Sequence, residues 1–220
     1  MKRNSFLLSL LSLFQIVTPI IISAQIMTQS KTIVFVHGLF HNPKSWEGWM
    51  KYFTAKGYTC YAPAYLYHEG EAADLRKNIN PRLGKLAFGQ VVDSFAVFID
   101  KLPEKPILIG HSMGGLAVQK LIERNKGVAA IAIDAAPPKG IFSFKRSFLK
   151  ANLPTVNPLK GNSVCLPSVK WFHYAFCNTM TMEQTQNEYD LYVVPESRNI
   201  PRSSTKKDGK IDFKNRTHRF

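Results

Sequence analysis

Hydrophobic and polar positions follow two different periods along the chain, and the switches between them mark its elements. Lys31 to Val36 (KTIVFV) is a nearly continuous apolar, β-branched run, the pattern of a strand covered on both faces. It stops at His37-Gly38. Asn42-Pro43-Lys44-Ser45 supplies a turn and an N-cap, and apolar residues at 46, 49, 50 and 53 predict a helix over 46–56 that Gly57 closes. Tyr58 to Ala62 predicts a second strand, ended by Pro63. Residues 68–83 are polar and turn-rich and predict no regular element. Helical spacing returns over Leu86–Leu102 through Val91, Phe95, Phe98 and Ile99. A strand is expected over Pro106–Gly110, a helix over Met113–Lys126 and a strand over Val128–Ile133. Such alternation predicts an α/β fold: a mostly parallel sheet with helices on both faces.

At Ala135-Ala136-Pro137-Pro138 the pattern changes. From Gly140 to about Glu188 the chain is rich in aromatics, Pro and Asn, which predicts short helices forming a cap-like insertion suited to covering a site. From Val193 onward it reads as basic and turn-like. The expected organisation is a leader over 1–25, a core over 31–136, a helical cap over 137–195 and a basic tail over 196–220.

The leader rests on its own pattern. Met1-Lys2-Arg3-Asn4 is a positive start, Ser5 to Ser23 an apolar core and Ser23-Ala24-Gln25 a small-residue end. That is the layout of a cleaved signal peptide, so export to a periplasmic or secreted location is expected. An uncleaved anchor is the rival, but Ser9, Ser12, Gln15, Thr18 and Pro19 dilute the stretch.

Composition adds less. With 45% apolar and 20% charged residues, the 220-residue chain is of folded, single-domain type. Its formal charge is +14, and Arg198 to Phe220 alone carries eight Lys/Arg against two Asp. That balance suits a soluble basic exterior or weak contact with an anionic membrane surface. No nucleic-acid-binding motif accompanies it, so no nucleic-acid partner is expected. Cys60, Cys165 and Cys177 have no metal-ligand spacing; Cys165 and Cys177 are spaced to pair across a short loop, or all three are ordinary thiols. No phosphate-cradling loop or ligand cluster appears, so neither a metal nor an organic cofactor is expected.

The chemistry lies in Gly110-His111-Ser112-Met113-Gly114, between a predicted strand and a predicted helix. A G-x-S-x-G there forms a turn so tight that the serine backbone is strained and only glycine fits two positions to either side. Ser112 then stands clear of the sheet as a nucleophile, and the Met113 N–H points where an oxyanion forms, at a helix N-terminus. VFVHGLF supplies the second piece. A strand ending in His37-Gly38 aims the Leu39 N–H at the same oxyanion, with Phe40 as the alternative donor if the loop shifts by one residue. His37 reads as a structural histidine that holds this loop.

VFVHGLFHNPKSWEGW, ILIGHSMGG and IAIDAAPPKG, in this order, resemble the serine-nucleophile members of the α/β-hydrolase fold family, close to its esterase-like and lysophospholipase-like proteins. The resemblance covers about residues 31–140. WFHYAFCNTM, YVVPESR and KIDFKN resemble the cap of that subgroup more weakly. It implies an incomplete α/β-hydrolase core with a helical cap, acting on a small-molecule ester or other acyl bond through an acyl-serine intermediate.

In that family the acid follows the cap and the histidine comes later still. Here the chain stops at Phe220, so it reads as C-terminally truncated and weak or inactive as it stands. Asp134, just after VAAIAI, is the candidate acid, though an aspartate there also caps a strand end. The general base is unassigned: His41, His68, His173 and His218 each read as surface or packing residues, and His111 as support for the turn. The alternative function is a non-catalytic ligand-binding protein that keeps the fold.

Overall fold

The computed structural model describes residues 30–212. The expected leader and His218 lie outside the described residues. In chain order the elements are β1 (Thr32–Val36), α1 (Glu47–Thr54), β2 (Thr59–Tyr61), α2 (Ala72–Lys77), α3 (Phe88–Ile99), β3 (Ile107–His111), α4 (Met113–Glu123), β4 (Ala129–Ile133), α5 (Arg146–Val156), β5 (Val164–Cys165), α6 (Val169–Phe176), α7 (Met182–Tyr192), β6 (Glu196–Ser197) and α8 (Asn199–Ser204). Short 3₁₀ turns over Pro43–Trp46 and Pro81–Lys85 are each capped by the asparagine before the proline.

Four strands form a parallel sheet in the order β2-β1-β3-β4, with Ile33 beside Ile107 and Ile107 beside Ala129. Side chains alternate across the pleat. Val34, Val36 and Leu108 pack against α3 and α4, while Ile33, Phe35 and Ile109 pack against Trp46 and, on α1, Met50 and Phe53. Both faces of β1 are therefore covered, and all five of its residues are buried. That explains why its sequence is apolar without alternation. β4 is an edge of the described sheet, with Ile131 51% exposed. The fold is α/β with helices on both faces, as the periodicity predicts.

Two stretches depart from the expectation. Residues 68–83, read as irregular, contain α2. Its Arg76 guanidinium donates to the carbonyls of Tyr189, Asp190 and Val193, so this helix is docked by distant partners rather than by its own periodicity. Residues 193–209, read as basic and turn-like, hold β6 and α8. Val193, Val194, Glu196, Ser197 and Ile200 in it are buried, and α8 packs on α3. The Ser197 hydroxyl donates to the carbonyls of Gly84 and Leu86 at 3.2 and 2.7 Å. The three cysteines are free thiols; Cys165 and Cys177 are buried in one cluster and Cys60 is half-buried.

Candidate active site

β3 runs straight into α4 through one residue. Ser112 joins them with φ 54° and ψ −119°, a conformation that side-chain-bearing residues rarely adopt. Its N–H donates to Ile133 and its carbonyl accepts from Leu116 and Ala136, so the backbone is held on both sides. The glycines explain how the turn closes. A Cβ at Gly110 would overlap the Gly114 carbonyl, and one at Gly114 would overlap the Val36 carbonyl. The helix start thus packs directly on the ends of β1 and β3.

The loop after β1 lies against this turn. A Cβ at Gly38 would stand 3.1 Å from both Ser112 Cβ and the His111 carbonyl oxygen. Leu39 and Ser112 line one cavity of about 480 Å³, together with Met113 and Asp134. Its far wall comes from α5 and α6, through Phe148, Thr155, Trp171, Tyr174 and Phe176. α5 turns Ser147, Ala151 and Thr155, one stripe at four-residue spacing, toward the cavity.

The expected oxyanion donors are thereby brought to the same cavity as Ser112. Among the described residues, no hydrogen bond engages the Leu39 N–H. Phe40 differs: its N–H donates to Glu196 Oε2 at 3.3 Å, so it is not free to be the alternative donor. Asp134 lies in the same cavity, exposed, at φ 41°. It raises the pKa of His111, although desolvation of that ring dominates and leaves it below the usual histidine value.

Among the described residues, no histidine lines the cavity that holds Ser112. His37 is buried, with Nδ1 on the Gly38 carbonyl and its ring stacked 4.4 Å from that of Tyr65. Burial first, then the neighbouring His68, hold its pKa well below 6.5. His41 bonds the Leu39 carbonyl through Nδ1 at 3.0 Å and, with His111, lines a second cavity of about 360 Å³ behind the turn. Desolvation lowers its pKa as well. His173 pairs with the Thr185 hydroxyl at 2.8 Å. Among the described residues, no histidine is hydrogen-bonded to the Ser112 hydroxyl, and no His/Cys/Asp/Glu group is arranged to hold a metal.

Sequence reasoning passed over one cluster. Glu196 is 1% exposed and sits among Tyr65, His68 and the Phe40 amide. The available signal was an acid one residue beyond the apolar Val193-Val194 pair, after Pro195.

The chain's likeness to known proteins follows this geometry. The model of the alpha/beta hydrolase family matches residues 33–197. Among solved structures, an extracellular alpha/beta-hydrolase from a Paenibacillus species, described as sharing structural and functional homology with tobacco salicylic acid binding protein 2, is 24% identical. It superposes with a TM-score of 0.62 over 83% of this chain and 71% of that one. Tomato methylketone synthase I complexed with 2-tridecanone is 19% identical, with a TM-score of 0.59 over 84% and 74% of the two chains. A methylesterase from Arabidopsis is 17% identical, with a TM-score of 0.58 over 82% and 71%. No curated protein matches. At these identities the likenesses establish the fold.

Proposed function

This chain belongs to the alpha/beta hydrolase family, and from that premise we propose that it is a serine hydrolase acting on carboxylic ester or related acyl bonds. Ser112 is the nucleophile, and its attack forms an acyl-serine. The Leu39 and Met113 N–H groups receive the oxyanion, helped by the positive end of α4. The observation that carries this reading is the strained Ser112 backbone between β3 and α4, facing a cavity that Leu39 and Met113 share. That cavity is lined by aromatics, with Asp134 as its one charged side chain among the described residues, which suits a small uncharged ester.

The general base is not assigned to a residue. Asp134 is the proposed acid. Asp134→Asn should then lower the rate, by up to about 10⁴-fold where the acid orients a histidine base, and an unchanged rate removes Asp134 from the machinery.

The direct test is covalent labelling of the full chain by a fluorophosphonate probe, with Ser112→Ala as the control. Labelling that Ser112→Ala abolishes is expected. A folded protein that stays unlabelled overturns the assignment. One observation favours a second reading, a ligand-binding protein of this fold: the Ser112 hydroxyl has no histidine partner among the described residues. Quenching of Trp171 fluorescence by a neutral aryl ketone without any labelling would select it.

Export is proposed from the leader-like residues 1–25. The Paenibacillus relative is extracellular, and among the described residues no helix is long and apolar enough to cross a membrane. N-terminal sequencing of the mature protein, expected to begin near residue 25, tests this.

A further inference from the structure

The buried carboxylate of Glu196 lies outside the cavity that holds Ser112, yet it is tied to the loop that carries the Leu39 N–H. Three successive peptide groups of that loop each have an anchored end. The Gly38 carbonyl meets His37 Nδ1 at 3.1 Å. The next peptide is held at both ends, its Leu39 carbonyl by His41 Nδ1 at 3.0 Å and its Phe40 N–H by Glu196 Oε2 at 3.3 Å. The Phe40 carbonyl accepts from the Val194 N–H at 3.0 Å. Phe40 itself is 1% exposed and has φ 64°, a left-handed conformation that a bulky residue keeps only when its surroundings impose it.

We propose that Glu196 is a positioning residue for the oxyanion loop, its carboxylate holding the Phe40 amide so that the Leu39 N–H stays turned toward the reacting centre. The inference rests on the serine-hydrolase reading for its catalytic consequence, but the clamp itself does not.

Both carboxylate oxygens are engaged. Oε1 accepts the Ser197 N–H at 2.7 Å, and Oε2 accepts both the Tyr65 hydroxyl and the Phe40 N–H. His68 Nε2 stands 3.3 Å from Oε2 but is not aligned as a hydrogen bond. With His68 Nδ1 on the Leu66 carbonyl, Nδ1 must carry a proton and Nε2 is left facing the carboxylate. The base of the clamp is rigid, because β6 pairs Glu196 with Cys165 and the Ser197 hydroxyl ties the segment to Gly84 and Leu86.

Three donors converge on two oxygens, so the isosteric amide cannot replace the acid. In Glu196→Gln one oxygen becomes an NH₂ group, and whichever way it turns it faces a donor. Glu196→Asp keeps the charge but draws it back from the Phe40 amide. A displaced oxyanion donor typically costs about 10- to 100-fold in rate without weakening ground-state binding.

The experiment compares the full chain with Glu196→Gln, and with Glu196→Asp should the first variant not fold. It measures saturation kinetics of fluorophosphonate labelling and hydrogen exchange of the 38–41 amides. The maximal labelling rate should fall about 10- to 100-fold with half-saturation unchanged, and exchange at 38–41 should accelerate by about tenfold or more. A folded variant that labels at the wild-type rate, or exchanges at the wild-type rate over 38–41, overturns the proposal. A wild-type chain that does not label defeats the serine-hydrolase reading instead. The exchange comparison then decides by itself whether Glu196 holds the loop, and unchanged exchange refutes it.

Discussion

Replacing Ser112 by glycine should make the protein more stable, and replacing it by alanine should not. Ser112 sits at φ 54° and ψ −119°, where a Cβ is crowded by its own backbone. Holding a side-chain-bearing residue there costs about 2 kcal/mol. Glycine removes that strain but gains freedom in the unfolded chain, which offsets about 0.5–1 kcal/mol. The net gain is about 1 kcal/mol, equivalent to a rise in Tm of about 2–4 °C for a protein of this size. Ser112→Ala retains the Cβ and with it the strain, so the glycine–alanine difference isolates the backbone effect from loss of the hydroxyl. Thermal unfolding of the two variants, side by side by calorimetry, is the measurement. Equal midpoints, or a more stable alanine variant, would mean that the turn stores no strain, and the account of an imposed nucleophile geometry would fail with it.

Three further outcomes follow from the same structure. Gly114→Ala should destabilise by about 3 kcal/mol, because the added carbon overlaps the Val36 carbonyl and backbone on both sides has nowhere to move; a shift in urea midpoint worth under about 1 kcal/mol would contradict the packing described. Stability should fall with acid. Burial keeps the folded pKa of His37 well below 6.5, so between that value and 6.5 the unfolded chain binds the extra proton, and the stabilisation present above pH 6.5 is lost on the way down at up to about 1.4 kcal/mol per unit. A flat profile of urea midpoints from about pH 7.5 to 5 would refute it. In Asp134→Asn, the His111 ring followed by NMR should titrate lower than in the wild type, since the aspartate charge raises its pKa against burial; an unmoved titration would separate the two groups.

Much of the core was legible because its signals are local. The apolar run Thr32–Val36 announces a strand buried on both faces. The glycines at 110 and 114 announce a turn where backbone meets backbone, and the structure puts carbonyls against both. The helical spacing of Phe88–Ile99 survives because its buried residues are the periodic ones. α2 was not legible, since Arg76 secures it to carbonyls more than a hundred residues away. The Phe40 amide could not be excluded as an oxyanion donor from sequence either. Its partner is Glu196, and no local pattern pairs positions so far apart.

The sequence alone therefore determined the strands and helices of residues 31–133 other than α2, and where one serine is forced into a tight turn, because these depend on periodicity and on the space a Cβ needs. The tertiary structure decided which N–H groups are left free to face that serine. A buried hydrogen-bond donor takes whatever acceptor the fold brings within about 3 Å, and for Phe40 that acceptor arrives from the other end of the chain.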